Sequence, residues 1–117
     1  MTKVILVTGS RDWTNYEMVI DVLLRFDPSS TTIIHGGAKG LDTIADKVAR
    51  QLGFNVKAYP ADWDRLSAGI QRNSQMLNEN PIDLVLGFRS KLNSKGTNDM
   101  LMKAGHADIP HEIYDDF

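Results

Sequence analysis

A glycine-rich segment in the first half of the chain, residues 35–42, reads HGGAKGLD and carries the clearest chemical signal. Gly36, Gly37 and Gly40 allow positive φ angles and close approach of the backbone to a ligand, with amide groups pointing outward. Because a predicted helix follows at once, its dipole and its first amides favour an anion such as phosphate. The segment lacks the Gly-Lys-Ser/Thr of a P-loop and the spacing of the dinucleotide fingerprint. A tight strand-to-helix turn that admits only glycine is the alternative interpretation.

Two arginines and one aspartate are predicted to contact such an anion or the sugar that carries it. Arg11 and Arg72 each lie near a predicted helix start, and a guanidinium binds phosphate or carboxylate through paired hydrogen bonds. Pairing with neighbouring surface aspartates is the alternative for both. Asp42, just inside the next helix, complements the helix dipole, holds the glycine turn or accepts hydrogen bonds from ribose hydroxyls. The sequence leaves these three roles open.

Ring-bearing side chains offer further ligand contacts, each with a structural alternative. Trp63, beside Asp62, either stacks on a base or seals the edge of the core. His35 either contacts the ligand or is a satisfied structural residue at the end of a strand. The chain has no cysteine and only three histidines, and it contains no Gly-x-Ser-x-Gly motif. We therefore expect no metal site, no cofactor and no nucleophile elbow.

Short β-branched runs alternate along the chain with amphipathic helical patterns, and these elements must position the residues above. Strands are predicted at 4–7, 31–34, 55–59, 82–88 and 109–114, and helices at 16–24, 41–52, 68–78 and 97–104. Thr14 or Asn15 is the expected N-cap of the first helix, and Gly53 and Gly105 are the expected terminators of the second and fourth. The alternation implies a parallel sheet covered by helices on both faces, a three-layer α/β sandwich. Pro110 indicates that the last strand lies at a sheet edge.

The carboxyl ends of the strands form the predicted binding edge, because ligands bind there in parallel α/β sheets. The segments that follow the strands hold glycines, charges and hydroxyls that have no role in the core. A length of 117 residues predicts one domain over residues 1–117, and a net charge of −2 argues against binding to duplex nucleic acid. No apolar run approaches the roughly 20 residues that span a bilayer. We therefore expect a cytoplasmic protein with no membrane insertion.

Five motifs in a fixed order resemble those of one protein family. They are GSRDW at 9–13, HGGAKGLDTIA at 35–45, YPADW at 59–63, AGIQRNSQM at 68–76 and GTNDM at 96–100. The combination resembles the YspA-like branch of the SLOG superfamily over essentially the whole chain. This resemblance implies a Rossmann-like fold whose five-stranded sheet has the order 3-2-1-4-5 in preference to 2-1-3-4-5. It also implies a pocket for nucleotides or nucleotide-derived ligands.

The relatives implied by this resemblance include the cytokinin-activating LOG phosphoribohydrolases and a DNA-uptake protein that binds single strands. LOG enzymes carry a Gly-Gly-x-Gly-Thr-x-x-Glu motif whose glutamate is needed to cleave the N-glycosidic bond. The Gly-Thr pair is kept here at 96–97, but Met100 stands where that glutamate would fall. Asp99 is one position early, which on a helix is a rotation of about 100°. Arg72 corresponds to the arginine of the LOG helix motif, and Asn73 replaces the lysine that follows it.

These observations together predict a protein that binds a nucleotide or a nucleotide-derived, phosphate-bearing small molecule, in the manner of a sensor. The alternatives are a LOG-like phosphoribohydrolase acting through Asp99 or Asp42, and a single-stranded nucleic-acid module, which the negative charge disfavours. Self-association through an exposed apolar patch is a further expectation, with Met76, Leu77, Met100 and Met102 as its candidates. The predicted ligand-binding residues are Gly9, Ser10, Arg11, Gly36, Gly37, Gly40, Asp42, Asp62, Trp63, Arg72, Asn73, Gly96 and Thr97.

Overall fold

A computed structural model describes residues 2–60, 66–92 and 94–117 of the chain. Its strands are β1 (Lys3–Gly9), β2 (Thr31–His35), β3 (Asn55–Ala58), β4 (Leu84–Ser90) and β5 (His111–Asp116). Its α-helices are α1 (Tyr16–Leu23), α2 (Leu41–Leu52), α3 (Leu66–Glu79) and α4 (Lys95–His106). All strand pairs are parallel and follow the order β3-β2-β1-β4-β5. The predicted α/β, Rossmann-like architecture and its strand order are therefore confirmed.

The central strand β1 supplies both faces of the sheet with core residues. Ile5 and Val7 belong to a cluster formed with α1 and α2, whereas Leu6 belongs to a second cluster formed with α3 and α4. All three side chains are at most 1% exposed. Successive side chains of a strand point to opposite faces of the sheet. One short apolar run therefore supplies side chains that pack against the helices on both sides.

The first two helices begin at predicted residues, and α2 also ends at its predicted residue, whereas α1 ends at Leu23, one residue before its predicted end. Asn15 caps α1, and its side-chain oxygen accepts a hydrogen bond from the Met18 amide at 3.0 Å. Gly53 follows the last turn of α2 with a φ of 92°, a left-handed conformation that glycine adopts without steric cost. Within the described part of the chain, no helix combines the length and the apolar character needed to cross a membrane.

The fourth helix differs from its prediction at both ends. It begins at Lys95 rather than Thr97, and it continues through Gly105 to His106. The prediction that Gly105 terminates the helix is therefore wrong. The residue with a positive φ near this helix end is Asp108, at 56°. A short polar side chain tolerates that conformation better than most, so the chain turns here without needing a glycine.

The methionines predicted to form an exposed patch are divided between the core and the surface. Met76 and Met100 are at most 2% exposed and belong to the cluster between the sheet and the α3–α4 layer. Leu77 is half-buried against the same cluster, and only Met102 is largely exposed, at 62%. The predicted apolar patch is therefore wrong for the two buried methionines, because their helical positions face the sheet rather than solvent.

Candidate functional site

A cavity of about 340 Å³ opens at the carboxyl edge of the sheet. Its walls come from the end of β1, the glycine-rich turn before α2, one face of α3 and the first turn of α4. A volume of this size is within the range of small-molecule sites in proteins. The predicted ligand-binding residues that line it are Gly9, Arg11, Gly36, Asp42, Asn73, Gly96 and Thr97. The cavity thus lies at the edge where ligands bind in parallel α/β sheets.

Four of the remaining predicted site residues are described and lie outside the cavity lining. Ser10 is fully buried behind the cavity, and Gly37 and Gly40 belong to the glycine-rich turn without lining the cavity. Arg72 is half-buried on α3 and is likewise not among the described residues of the cavity wall. The predicted contacts of Asp62 and Trp63 fall outside the described residues.

One wall of the cavity was missed by sequence reasoning. The face of α3 that lines it carries Gly69, Ile70 and Met76 together with Asn73. These positions recur at the spacing of one helical face, so the signal was present in the sequence. Asn73 was predicted as a ligand-binding residue from its place after the third strand, but Ile70 and Met76 on the same face were not recognised as cavity residues.

The glycine-rich turn is closed by hydrogen bonds within the protein. The backbone is left-handed at Gly37, with a φ of 70°, and at Gly40, with a φ of 73°. The amides of Gly36 and Ala38 each donate to Asp42 Oδ2 at 3.2 Å, and the Gly37 amide donates to His35 Nδ1 at 3.0 Å. The expectation that the amides of Gly36 and Gly37 point outward is therefore wrong in this structure, because Asp42 accepts the first amide and His35 accepts the second.

Asp42 has one oxygen in the turn and one without a partner. The residue is 5% exposed and lines the cavity, and its Oδ1 is buried with no hydrogen bond among the described residues. Burial raises the pKa of the Asp42 carboxyl to about 6, while the hydrogen bonds from the amides of Ala38 and Gly36 oppose the rise. Of the roles left open by the sequence, holding the glycine turn is the one that the hydrogen bonds show.

His35 is a structural residue in this arrangement. Its Nδ1 accepts the Gly37 amide, so Nδ1 carries no proton. Its Nε2 lies 2.9 Å from Asp46 Oδ1 and is the donor in that bond. The His35 side chain is only 4% exposed. Both ring nitrogens are therefore satisfied, as the structural alternative predicted.

The raised pKa of Asp42 predicts a specific pH dependence of stability. Between pH 3.8, the ordinary value, and about 6, the unfolded chain loses the Asp42 proton while the folded chain keeps it. Stability should therefore fall as pH rises through this window, by an amount on the order of 3 kcal/mol if no other group compensates. Asp42→Asn retains an oxygen for the turn and removes the titration. Urea unfolding at pH 4 to 7 should show the variant gaining stability relative to wild type, and parallel curves would contradict the assignment.

The first turn of α4 presents polar groups to the other side of the cavity. Lys95, Gly96 and Thr97 all line it, and the side chain of the N-cap residue Ser94 makes no capping hydrogen bond. Thr97 is 2% exposed, and its Oγ1 has no partner among the described residues. A helix N-terminus carries partial positive charge, which Lys95 increases. This wall therefore offers amides, a hydroxyl and an ammonium group to an anion.

Two glycines of the cavity serve different purposes. A Cβ on Gly9 would lie 2.2 Å from Leu41 Cγ, so this glycine lets α2 pack closely on β1. A Cβ on Gly96 would meet no atom within 4 Å. The absence of a side chain at Gly9 is thus explained by packing, whereas at Gly96 it leaves open space at the cavity wall.

The carboxylate candidates for hydrolysis are separated by the structure. Asp99 Oδ2 accepts hydrogen bonds from Asn73 Nδ2 at 3.1 Å and from Lys103 Nζ at 2.6 Å, and Asp99 is not in the cavity lining. Met100 is fully buried in the core. Among the described residues, Asp42 is the one carboxylate that lines the cavity. No cluster of three or more histidine and acidic side chains in that part of the chain is arranged to hold a metal ion.

Comparisons with known proteins agree with this architecture. A family model for the YspA, cpYpsA-related SLOG family matches residues 3–66, which include β1, the glycine-rich turn and α2. The chain is also similar to Gene 61 protein of Mycobacterium phage D29, with 39% identity over 116 residues and coverage of 91% of each chain. The fold, the family match and the similarity over nearly the full length lead to one assignment. The chain belongs to the YspA, cpYpsA-related SLOG family.

Proposed function

We propose that the cavity binds a nucleotide or a nucleotide-derived small molecule that carries a phosphate group. Membership of the SLOG family suggests nucleotide-related ligands. The observation that carries the proposal is the buried Thr97 Oγ1, which has no partner among the described residues, in the first turn of α4, which the Ser94 side chain does not cap. A buried hydroxyl without a partner costs free energy, which a ligand oxygen at this position would recover.

The charges around the cavity support the proposed orientation of the ligand. Lys95 and the positive end of α4 favour the phosphate at that wall, and Arg11 is a further basic residue of the cavity lining. Asp42 Oδ1 lies on the α2 side and, when ionised, is a hydrogen-bond acceptor for a hydroxyl such as those of ribose. Apolar Val7, Ile70 and Met76 supply the surface against which the uncharged part of the ligand would pack.

Replacing Thr97 by valine tests the proposal directly. Valine keeps the shape of threonine but removes the hydroxyl, so nucleotide affinity should fall roughly tenfold. The melting temperature should stay level or rise, because the variant no longer buries an unpartnered oxygen. Isothermal titration with a panel of ribonucleoside 5′-monophosphates and inorganic phosphate provides the measurement, after native mass spectrometry for retained ligand.

Thr32→Val is the matched control, since Thr32 pairs with Val4 at the opposite end of the sheet. This variant should bind as wild type does. Equal affinity of the Thr97 variant and wild type would remove Thr97 from the binding site. No binding of any panel member or phosphate to wild type, together with no retained ligand, would contradict the proposed function itself.

Hydrolysis of a nucleoside monophosphate at its glycosidic bond is the second candidate, and Asp42 is the observation that favours it. A carboxyl with a pKa of about 6 that lines a cavity is suited to exchange a proton near neutral pH. The core position of Met100 weighs against it, since no carboxylate stands there. Incubation with nucleoside monophosphates and chromatography for free base decides between binding alone and cleavage, with Asp42→Asn as the inactive comparison.

A further inference from the structure

Three serines from separate segments form a closed set of hydrogen bonds beside the cavity. The Ser90 amide donates to Ser10 Oγ at 2.9 Å, and Ser10 Oγ lies 2.7 Å from Ser94 Oγ. Ser94 Oγ in turn donates to the Ser90 carbonyl at 3.1 Å. Because the single proton of Ser94 is used on a carbonyl, Ser10 is the donor in the bond between the two hydroxyls. We call Ser10, Ser90 and Ser94 the serine ring.

The hydrogen bonds of the serine ring keep the Ser94 hydroxyl from capping α4, although its N-cap position favours capping. Ser94 is the N-cap residue of α4, where a serine hydroxyl commonly accepts a hydrogen bond from an amide of the first turn. Here the Ser94 side chain makes no such bond, and its hydroxyl contacts Ser10 and Ser90 instead. The Ser94 side chain thus leaves the amides of the first turn of α4 without the cap that an N-cap serine commonly supplies.

Ser10 is held rigidly enough to fix this arrangement. It is fully buried, its amide donates to the Phe88 carbonyl at 2.9 Å, and its carbonyl accepts the Leu41 amide at 3.1 Å. These bonds join the end of β1 to β4 and to the start of α2. The Ser10 hydroxyl that donates to Ser94 is therefore anchored by backbone hydrogen bonds to β4 and to the start of α2.

We propose that Ser10 is a positioning residue that holds the Ser94 hydroxyl away from the first turn of α4 and so keeps that turn open to the phosphate of a ligand. The inference rests on the proposed function, because it concerns the same phosphate position. A feature other than the helix N-terminus points to a ligand there: Thr97 lines the cavity, is only 2% exposed, and has an Oγ1 with no hydrogen-bond partner among the described residues. Ser10 would act on affinity through Ser94 and would not touch the ligand.

The test compares Ser10→Ala with the double variant Ser10→Ala/Ser94→Ala. In the single variant the Ser94 hydroxyl no longer accepts a hydrogen bond from Ser10 and turns to cap α4. It then competes with phosphate for the amides of the first turn, so the affinity for phosphate should fall roughly fivefold. In the double variant no hydroxyl is left to cap the helix, and affinity should return towards that of wild type. A merely structural role of Ser10 predicts the opposite order, with the double variant no tighter than the single one.

Amide hydrogen exchange without any ligand provides a second readout. In Ser10→Ala the amides of the first turn of α4, including that of Thr97, should become more protected than in wild type, and in the double variant they should not. Ser94→Asp, which leaves Ser10 unchanged but supplies a stronger cap, should protect the same amides and weaken phosphate binding even if Ser10→Ala folds poorly. Unchanged protection in both capping variants would overturn the proposal.

Inorganic phosphate and the panel of ribonucleoside 5′-monophosphates are titrated into the same samples. Increased protection together with weakened binding supports the role of Ser10. Binding that is equal in wild type, Ser10→Ala and Ser94→Asp overturns it while leaving the proposed function intact. If wild type binds neither phosphate nor any nucleotide, the proposed function fails, and the role of Ser10 in keeping a ligand position open fails with it, whatever the exchange data show.

Discussion

Gly96→Leu is expected to weaken nucleotide binding roughly 100-fold, equivalent to about 3 kcal/mol, because the new side chain would occupy the open space at the cavity wall. Gly96 lines the cavity, and a Cβ there meets no atom within 4 Å. Folding should not suffer from the added volume. Leucine is also a better helix former than glycine, so the melting temperature should stay equal or rise by a few degrees, about 3 °C.

Gly105→Leu is the matched control for this prediction. Gly105 lies on the same helix at its other end, is exposed, and a Cβ there has only His111 nearby, at 3.9 Å. The control should share the gain in helix propensity and keep wild-type affinity. Calorimetric titration and thermal unfolding of the three proteins measure both quantities. A Gly96 variant that binds like wild type would show that the ligand does not approach the first turn of α4.

Gly40→Ala is expected to cause the largest loss of stability, on the order of 3–5 kcal/mol. Gly40 has a φ of 73°, which is strained for alanine, and a Cβ there would lie 2.4 Å from the carbonyl carbon of Arg11. The obstacle is backbone rather than the end of a flexible side chain, so the start of α2 and the segment after β1 would have to separate. Binding should fall as well, because this contact sets the cavity wall that includes Arg11 and Asp42.

Gly53→Ala separates the two causes of that loss. Gly53 also has a positive φ, 92°, but a Cβ there has only Pro28 Cβ nearby, at 3.9 Å. The free energy of unfolding of this variant should therefore fall only by what alanine costs in a left-handed conformation, about 1 kcal/mol. Urea unfolding of both variants gives the comparison. Equal losses would mean that the close contact with Arg11 relaxes freely, and would contradict the packing argument for Gly40.

The cavity has two chemically different walls, which come from separate segments of the chain. On one side Asp42 lines the cavity and completes the glycine-rich turn with one carboxyl oxygen, while its other oxygen is buried with no partner among the described residues. On the other side lies the first turn of α4, which the Ser94 side chain does not cap and in which Thr97 Oγ1 has no described partner. The ligand proposed above, with a phosphate at one end and hydroxyl groups at the other, would find hydrogen-bonding partners at both walls, whereas a simple anion would find them at one.

The fold and the location of the cavity were predictable from the sequence. The apolar run 4–7 and the helical stripe of α2 specify elements through their periodicity, and alternation of such elements leads to a parallel sheet with helices on both faces. The carboxyl edge then becomes the place for Gly36, Asp42, Gly96 and Thr97. The strand order came from the family motifs, because local patterns do not say which strands pair.

Only the tertiary structure decided how the site residues are used. The Gly36 amide is engaged because Asp42 folds back onto it, and Ser10 meets Ser94 although 84 positions separate them. Met100 occupies the core because its helical face meets the sheet. Hydrogen-bond partners and burial depend on which side chains converge after packing, whereas periodicity reports only on neighbours along one element. The sequence by itself therefore determined the elements, their layers and the edge at which a ligand would bind. The structure decided which amides, hydroxyls and carboxylates are available to the proposed ligand.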